Sequence, residues 1–295
     1  MNRLFTLCFL MAVSFGSLQS QALLDMLEEE ATETEPLTEY ATTTFFSTRI
    51  INGQSVENPY PGDLVFVISH HFGSLNQGAY NFWGLDQANI RIGFDYGVND
   101  RLALSVGRSS YEKTFDGFFK YKLLRQQTGQ REIPMTVSWF SGMYIKSLKW
   151  VQPDPAYEFH HRLSYVHQLL IARKFSRSFS MQITPALVHK NLVAQTNDPN
   201  TSFILGAGGR ARITDWVTLN AEYFHRFHEP LSFDSYNAFS VGFDFDTGGH
   251  IFQLHFTNAQ PMFESAFLNE TRGNWLDGDI YFGFNITRVF GLKKP

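Results

Sequence analysis

Long runs of strict apolar/polar alternation constrain this chain more than any other feature. Ile90, Ile92, Phe94 and Tyr96 alternate with Arg91, Gly93 and Asp95. Phe239, Val241, Phe243 and Phe245 alternate with Ser240, Gly242, Asp244 and Asp246, and Ile280, Phe282, Phe284 and Ile286 with Tyr281, Gly283, Asn285 and Thr287. A helix would scatter this pattern around its surface, whereas a strand sends successive side chains to opposite faces. Twelve segments read as strands, near 64–72, 89–97, 101–109, 117–124, 133–143, 157–172, 178–188, 202–212, 216–226, 236–246, 250–258 and 279–290. In the sixth, His161 and His167 fall on the apolar register, which predicts a bulge or a slip there.

The connections alternate as well. Val98-Asn99-Asp100, Ser176-Arg177, Ile213-Thr214-Asp215 and Thr247-Gly248-Gly249 are tight turns, and only the link around Gln126–Glu132 is longer in that set. The other set is long: Gly73–Ala88, Lys146–Ala156, His189–Thr201, Phe227–Ser235 and Ala259–Gly278, with Tyr111–Asp116 as its short member. Short turns at one end, long loops at the other and an even strand count are the marks of a bacterial outer-membrane barrel.

A soluble sandwich or lipocalin-like barrel also alternates, but it turns the apolar face inward. Here the other face holds Gly, Ser, Asn, Arg and Asp, a poor core because buried charges must be paired. With 18% charged and 16% aromatic residues, 30 of them Phe, the chain is charge-poor and aromatic-rich. Turning the apolar face to lipid lets the charges line a lumen, and a closed barrel is one of two backbone solutions a bilayer allows. No segment is apolar over the roughly 20 residues of a membrane helix. The expected fold is therefore all-β: an antiparallel transmembrane β-barrel of about 12 strands over 63–290, with an acidic N-terminal segment in the periplasm.

The start of the chain agrees with export. Arg3, the apolar run Leu4–Phe15 and the small residues up to Ala22 read as a signal peptide over 1–22. The only cysteine, Cys8, lies inside it, so the mature chain is expected to use no disulfide. Asp25, Glu28, Glu29, Glu30, Glu33, Glu35 and Glu39 then come without a base. This makes 23–44 an acidic, self-repelling tether, disordered or partly helical. Residues 45–62 change texture and read as a lead-in strand and turn or a plug against the barrel mouth; 291–295 form a tail.

Several stretches resemble an uncharacterised family of Gram-negative outer-membrane β-barrel proteins: Phe46-Ser47-Thr48-Arg49-Ile50-Ile51-Asn52-Gly53-Gln54-Ser55-Val56-Glu57, Ile68-Ser69-His70-His71-Phe72-Gly73, Gly84-Leu85-Asp86-Gln87-Ala88 and Gly107-Arg108-Ser109-Ser110-Tyr111-Glu112-Lys113-Thr114. The resemblance spans roughly Phe45–Phe290. It implies an outer-membrane barrel and brings no catalytic residues. The last strand, closing on Phe290, also resembles the assembly signal of such proteins, although here Gly291–Pro295 follow it.

Parity places Arg91, Asp95, Lys120, Lys122, Arg210, Arg212, Glu222, Asp244, Asp246 and His255 on the lumen face. They read either as a selectivity lining or as an ion-pair network bracing the wall. Seven of the ten histidines fall near the long-loop ends of strands. His225 and His228 beside Glu229 form a weak metal or haem candidate. There is no phosphate loop, nucleophile elbow or zinc-protease motif, so no cofactor and no catalytic set is expected. Nor does a net charge of −4 suit nucleic acid.

The reading that follows is a passive channel or porin-like conduit for a small solute in the outer membrane of a Gram-negative bacterium. Its partners are membrane lipid and the barrel-assembly machinery. The alternatives are a non-conducting barrel that binds a ligand or partner through its outer loops, or a rim hydrolase. Loops Ala259–Gly278 and Gly73–Ala88, rich in aromatics, read either as folding over the mouth to line a pocket or as anchoring at the membrane interface.

Overall fold

Aromatic and branched residues at every second position suit a pleated surface with one face on lipid, and the chain uses them to close a ring. A computed structural model describes residues 37–150, 156, 158–227 and 231–292. The expected signal peptide, the acidic stretch up to residue 36, His228, Glu229 and 293–295 lie outside the described residues. Twelve strands make one closed antiparallel barrel. They are β1 (Asp63–Ser74), β2 (Ala88–Gly97), β3 (Leu102–Ser109), β4 (Thr114–Leu124), β5 (Thr136–Lys146), β6 (Leu163–Lys174), β7 (Phe179–Lys190), β8 (Thr201–Arg212), β9 (Val217–Arg226), β10 (Ala238–Asp246), β11 (His250–Thr257) and β12 (Tyr281–Gly291). Each pairs with the next, and β12 closes on β1 with Gly291 opposite Asp63. Closure leaves no edge strand, so every wall strand has a ladder on both sides. Among the described residues, 37–39 together with 127–132 form a separate small unit that contains the two-residue strand Gln127–Thr128.

The barrel starts and ends at the short-turn end. Phe94, Leu104, Val106, Phe243, Leu254 and Phe256 are exposed on the outer wall, while Arg91, Asp95, Ser105, Asp244, Gln253 and His255 are buried on the inner one. Strand existence follows the sequence reading; the starts of β4, β5 and β6, the end of β5 and one detail do not. β5 begins at Thr136, after Pro134, which has no N–H to give a ladder. β6 begins only at Leu163, because Phe159–Arg162 form a 3-10 turn that takes His161 out of the strand. β6 keeps one register against β7, with no slip: His167 simply sits exposed on the outer wall. The bulges lie elsewhere, between Lys122 and Leu124 and between Tyr281 and Gly283.

The inner wall is not polar throughout, as the parity argument implied. Phe118, Phe140, Tyr144, Val166, Leu170, Val188, Ile204 and Phe224 form a buried apolar sector running from β4 to β9. Its counterparts come from outside the wall: Phe45, Ile50, Ile51 and Val56 before β1, and Phe263, Ala266, Phe267 and Leu268 from the loop after β11.

Candidate functional site

The lead-in segment runs inside the barrel. Backbone bonds from Ile50 N–H to the Gly53 carbonyl, 2.8 Å, and from Ser55 N–H to the Thr48 carbonyl, 3.0 Å, make Thr48–Ser55 a tight hairpin. Its polar backbone would be costly in a dry lumen without partners. The wall supplies them strand by strand.

Glu222 on β9 accepts the N–H groups of Ile51, Asn52 and Gly53 at 3.3, 2.8 and 3.1 Å. An anion facing consecutive amides is a compact and strong arrangement. Asn285 on β12 donates to the Ile51 carbonyl, 2.9 Å, and Gln253 on β11 to the Ile50 carbonyl, 3.0 Å. Gln182 on β7 donates to the Gln54 carbonyl, 2.7 Å, and accepts from Val56 N–H, 3.0 Å. Lys120 on β4 donates to the Ser55 carbonyl, 2.9 Å. Asp95 on β2 accepts from Thr48, 3.0 Å, and lies 3.7 Å from the Arg49 guanidinium. Asn52 reaches Ser240 and Thr257 at 3.1 and 3.3 Å. Gly53 is required by close approach: a β-carbon there would meet the Phe224 ring at 2.6 Å.

A second seal comes from the long-loop end. The four-residue helix α1 (Glu264–Phe267) is buried in the mouth. The Glu264 carboxylate accepts from Gln54 of the hairpin, 2.7 Å, and from the Tyr144 hydroxyl of β5, 2.6 Å. Nearby, His71 and His255 meet Nε2 to Nε2 at 2.9 Å, and His71 Nδ1 lies 3.0 Å from the Gln260 carbonyl. A carbonyl only accepts, so His71 carries its proton on Nδ1 and His255 donates across the pair. The loop after β11 is thus tied to both wall and hairpin. Loop Gly73–Ala88 does not follow it, contrary to the reading that folds it over the mouth. Tyr80, Phe82 and Trp83 are 95%, 55% and 51% exposed, because the mouth is already filled by Phe263, Phe267 and Leu268.

The ten lumen candidates fall into three groups. Asp95, Lys120 and Glu222 grip the hairpin, and Asp244, bonded to Gln253 at 2.8 Å, supports that grip. Arg91 pairs with Asp116, both buried, and His255 pairs with His71. Nearer the short-turn end, Lys122 lies 3.9 Å from Glu57, and the Arg210 and Arg212 guanidinium groups lie 5.2 and 6.0 Å from the Phe46 ring. Asp246 accepts from Gly248 N–H at that end. There a cavity of about 510 Å³ opens beside Phe46, Glu57, Lys122 and Asp246. His225 points outward beside Tyr223 and Phe227, so it does not join the lumen.

The sequence pattern marks His71 as one of the histidines at the long-loop ends of strands, but does not mark Asp116, Gln182, Tyr144 or Glu264. Asp116 shares the parity of Lys120 and Lys122 on β4. Glu264 lies in a loop with no period, and no signal marked it.

A family described as a membrane bound beta barrel domain (DUF5777) matches residues 45–290. Among solved structures, the NanC porin aligns at 9% identity with a TM-score of 0.50, covering 77% of this chain and 98% of its own. An outer membrane channel from Pseudomonas putida F1 aligns at 12% identity and a TM-score of 0.48, covering 79% and 97%. Comparison with curated proteins by sequence finds no match.

Proposed function

Because the chain belongs to the membrane bound beta barrel domain family, we propose that it is a gated conduit of the Gram-negative outer membrane. Its resting state is closed by the Thr48–Ser55 hairpin and the α1 loop, and a small solute passes when the hairpin leaves the lumen. The short-turn end faces the periplasm in this reading, as in barrels of this type. The observation that carries it is the hairpin's mode of attachment. It is held by single side chains of at least six strands and sits at the centre, where Arg49, Asn52, Gln54 and Ser55 are no more than 4% exposed. A twelve-strand wall encloses more than its own side chains fill, and here the difference is made up by a segment that is covalently continuous with the wall at β1. It is also bonded at its other end, where Ala41 N–H donates to the Gln126 carbonyl at 2.8 Å and Lys174 to the Thr42 carbonyl at 2.7 Å. A passive, always-open porin is harder to reconcile with that packing.

Planar-bilayer recording tests the proposal. The intact protein should be silent or flicker rarely, while a variant lacking residues 45–57 should give steady open steps from a barrel that still shows heat-modifiable migration. Silence from that folded variant would sink the conduit reading. It would leave the second reading, a non-conducting barrel that binds a ligand through its outer loops, which the sealed lumen favours.

A further inference from the structure

At the long-loop end, apart from the plug, a cavity of about 320 Å³ is lined by Tyr111, Lys146, Trp150, Arg162, Phe233 and Arg272, among others. A smaller one of about 80 Å³ shares Glu112, Lys146, Arg162 and Glu270 with it and adds Lys190. The larger is at the small end of the range for ligand sites, about 300–1,000 Å³.

Among the described residues, the charges of this vestibule do not cancel. Glu112 is taken by Lys146 at 2.5 Å, and Glu270 by Lys190. Among the described residues, neither Arg162 nor Arg272 has a carboxylate within salt-bridge distance. Both guanidinium groups are nevertheless held in place. Arg162 gives one nitrogen to the carbonyls of Lys146 and Leu148, 2.8 Å each, and stacks 3.7 Å from the Trp150 ring centre. Arg272 lies 4.8 Å from the Phe233 ring centre. An arginine stacked on an aromatic keeps its in-plane N–H edge free, and that edge matches two oxygens of a carboxylate or phosphate. Burial, reinforced by Glu112, pushes the Tyr111 hydroxyl up to about 12, so it stays a neutral donor.

We propose that this vestibule binds a small organic anion bearing an apolar ring, its carboxylate or phosphate taken by Arg162 and Arg272 and its ring lying among Trp150, Phe233 and Tyr111. The proposal goes beyond gating and does not depend on whether the lumen opens. Binding is read at equilibrium and conduction in bilayers, so either can fail alone.

Calorimetric titration of the full chain in a zwitterionic detergent, with benzoate, phenyl phosphate and neutral benzyl alcohol as probes, tests it. At least one of the two anions should bind at least about tenfold more tightly than benzyl alcohol, the scale of a charge-assisted pair. Arg272→Gln, on an exposed side chain, should weaken that anion by about tenfold while leaving heat-modifiable migration unchanged; Arg162→Gln should do the same. Equal affinity for anion and alcohol, no measurable binding of either anion, or an unchanged anion affinity in Arg272→Gln would overturn the proposal. Lipopolysaccharide, whose headgroups carry the same phosphate and carboxylate groups, is then added as competitor. Displacement of the anion supports the site with a lipid headgroup as its source; undisturbed binding supports it with a free solute.

Discussion

Glu222 sits 2% exposed with three amides of the hairpin turned toward it. Charge-assisted hydrogen bonds are worth about 1.5–3 kcal/mol each where water does not compete. Glu222→Ala removes all three at once and leaves the amides without an acceptor, while no ladder bond of β9 is touched. The expected outcome is a barrel of normal heat-modifiable migration whose open probability in bilayers rises by at least about tenfold, on the scale of one such bond. A silent Glu222→Ala channel would mean that the hairpin is held elsewhere. Parity alone assigned Glu222 to the inner face, since it alternates with Leu219, Ala221 and Tyr223. That it grips a backbone turn 170 positions away was not legible, because period two records which face a residue uses and nothing about what stands opposite.

At the scale of elements, the strands were legible and the seals only in part. Each strand repeats its signal over eight or more residues, so local noise averages out. β4, β5 and β6 were misplaced at their starts; before β5 and β6, Pro134 and the turn at Phe159–Arg162 interrupt the pattern. The hairpin was legible as a change of texture after the acidic run, with a plug as one of two readings. The loop after β11 drew notice for its aromatics, and Phe263, Phe267 and Leu268 are indeed buried in the mouth. The same argument failed for Gly73–Ala88, because two loops competed for one space and sequence does not rank them. The hairpin fills the lumen, α1 narrows the mouth beyond it, and Gln54 and Glu264 join the two. Deleting Met262–Asn274 alone should therefore leave conductance low, since the hairpin still fills the lumen. Deleting 45–57 as well should give a larger unitary conductance than deleting 45–57 alone. If loop deletion by itself opens the barrel fully, the outer seal is the only gate and the hairpin is a brace.

For the barrel as a whole, the two faces meet different media, and β10 offers a test from neighbouring positions. Phe243 is 43% exposed on the outer wall, whereas Ser240 is 1% exposed on the inner one, bonded to Asn52 and Thr257. An arginine on the lipid face near mid-membrane costs about 2–4 kcal/mol, so Phe243→Arg should cut the yield of folded, heat-modifiable protein. Sequence alone suggests that Ser240→Arg is merely tolerated, because a lumen is wet. The packed hairpin changes that expectation. An arginine at 240 has no room while Asn52 occupies the lumen, yet water can solvate it once the hairpin is displaced. Ser240→Arg should therefore assemble in good yield and conduct more than the intact protein, separating assembly from closure in a single strand. Equal folded yields of the two variants would contradict the orientation of the wall. A well-folded but silent Ser240→Arg would show that the hairpin yields without opening a path.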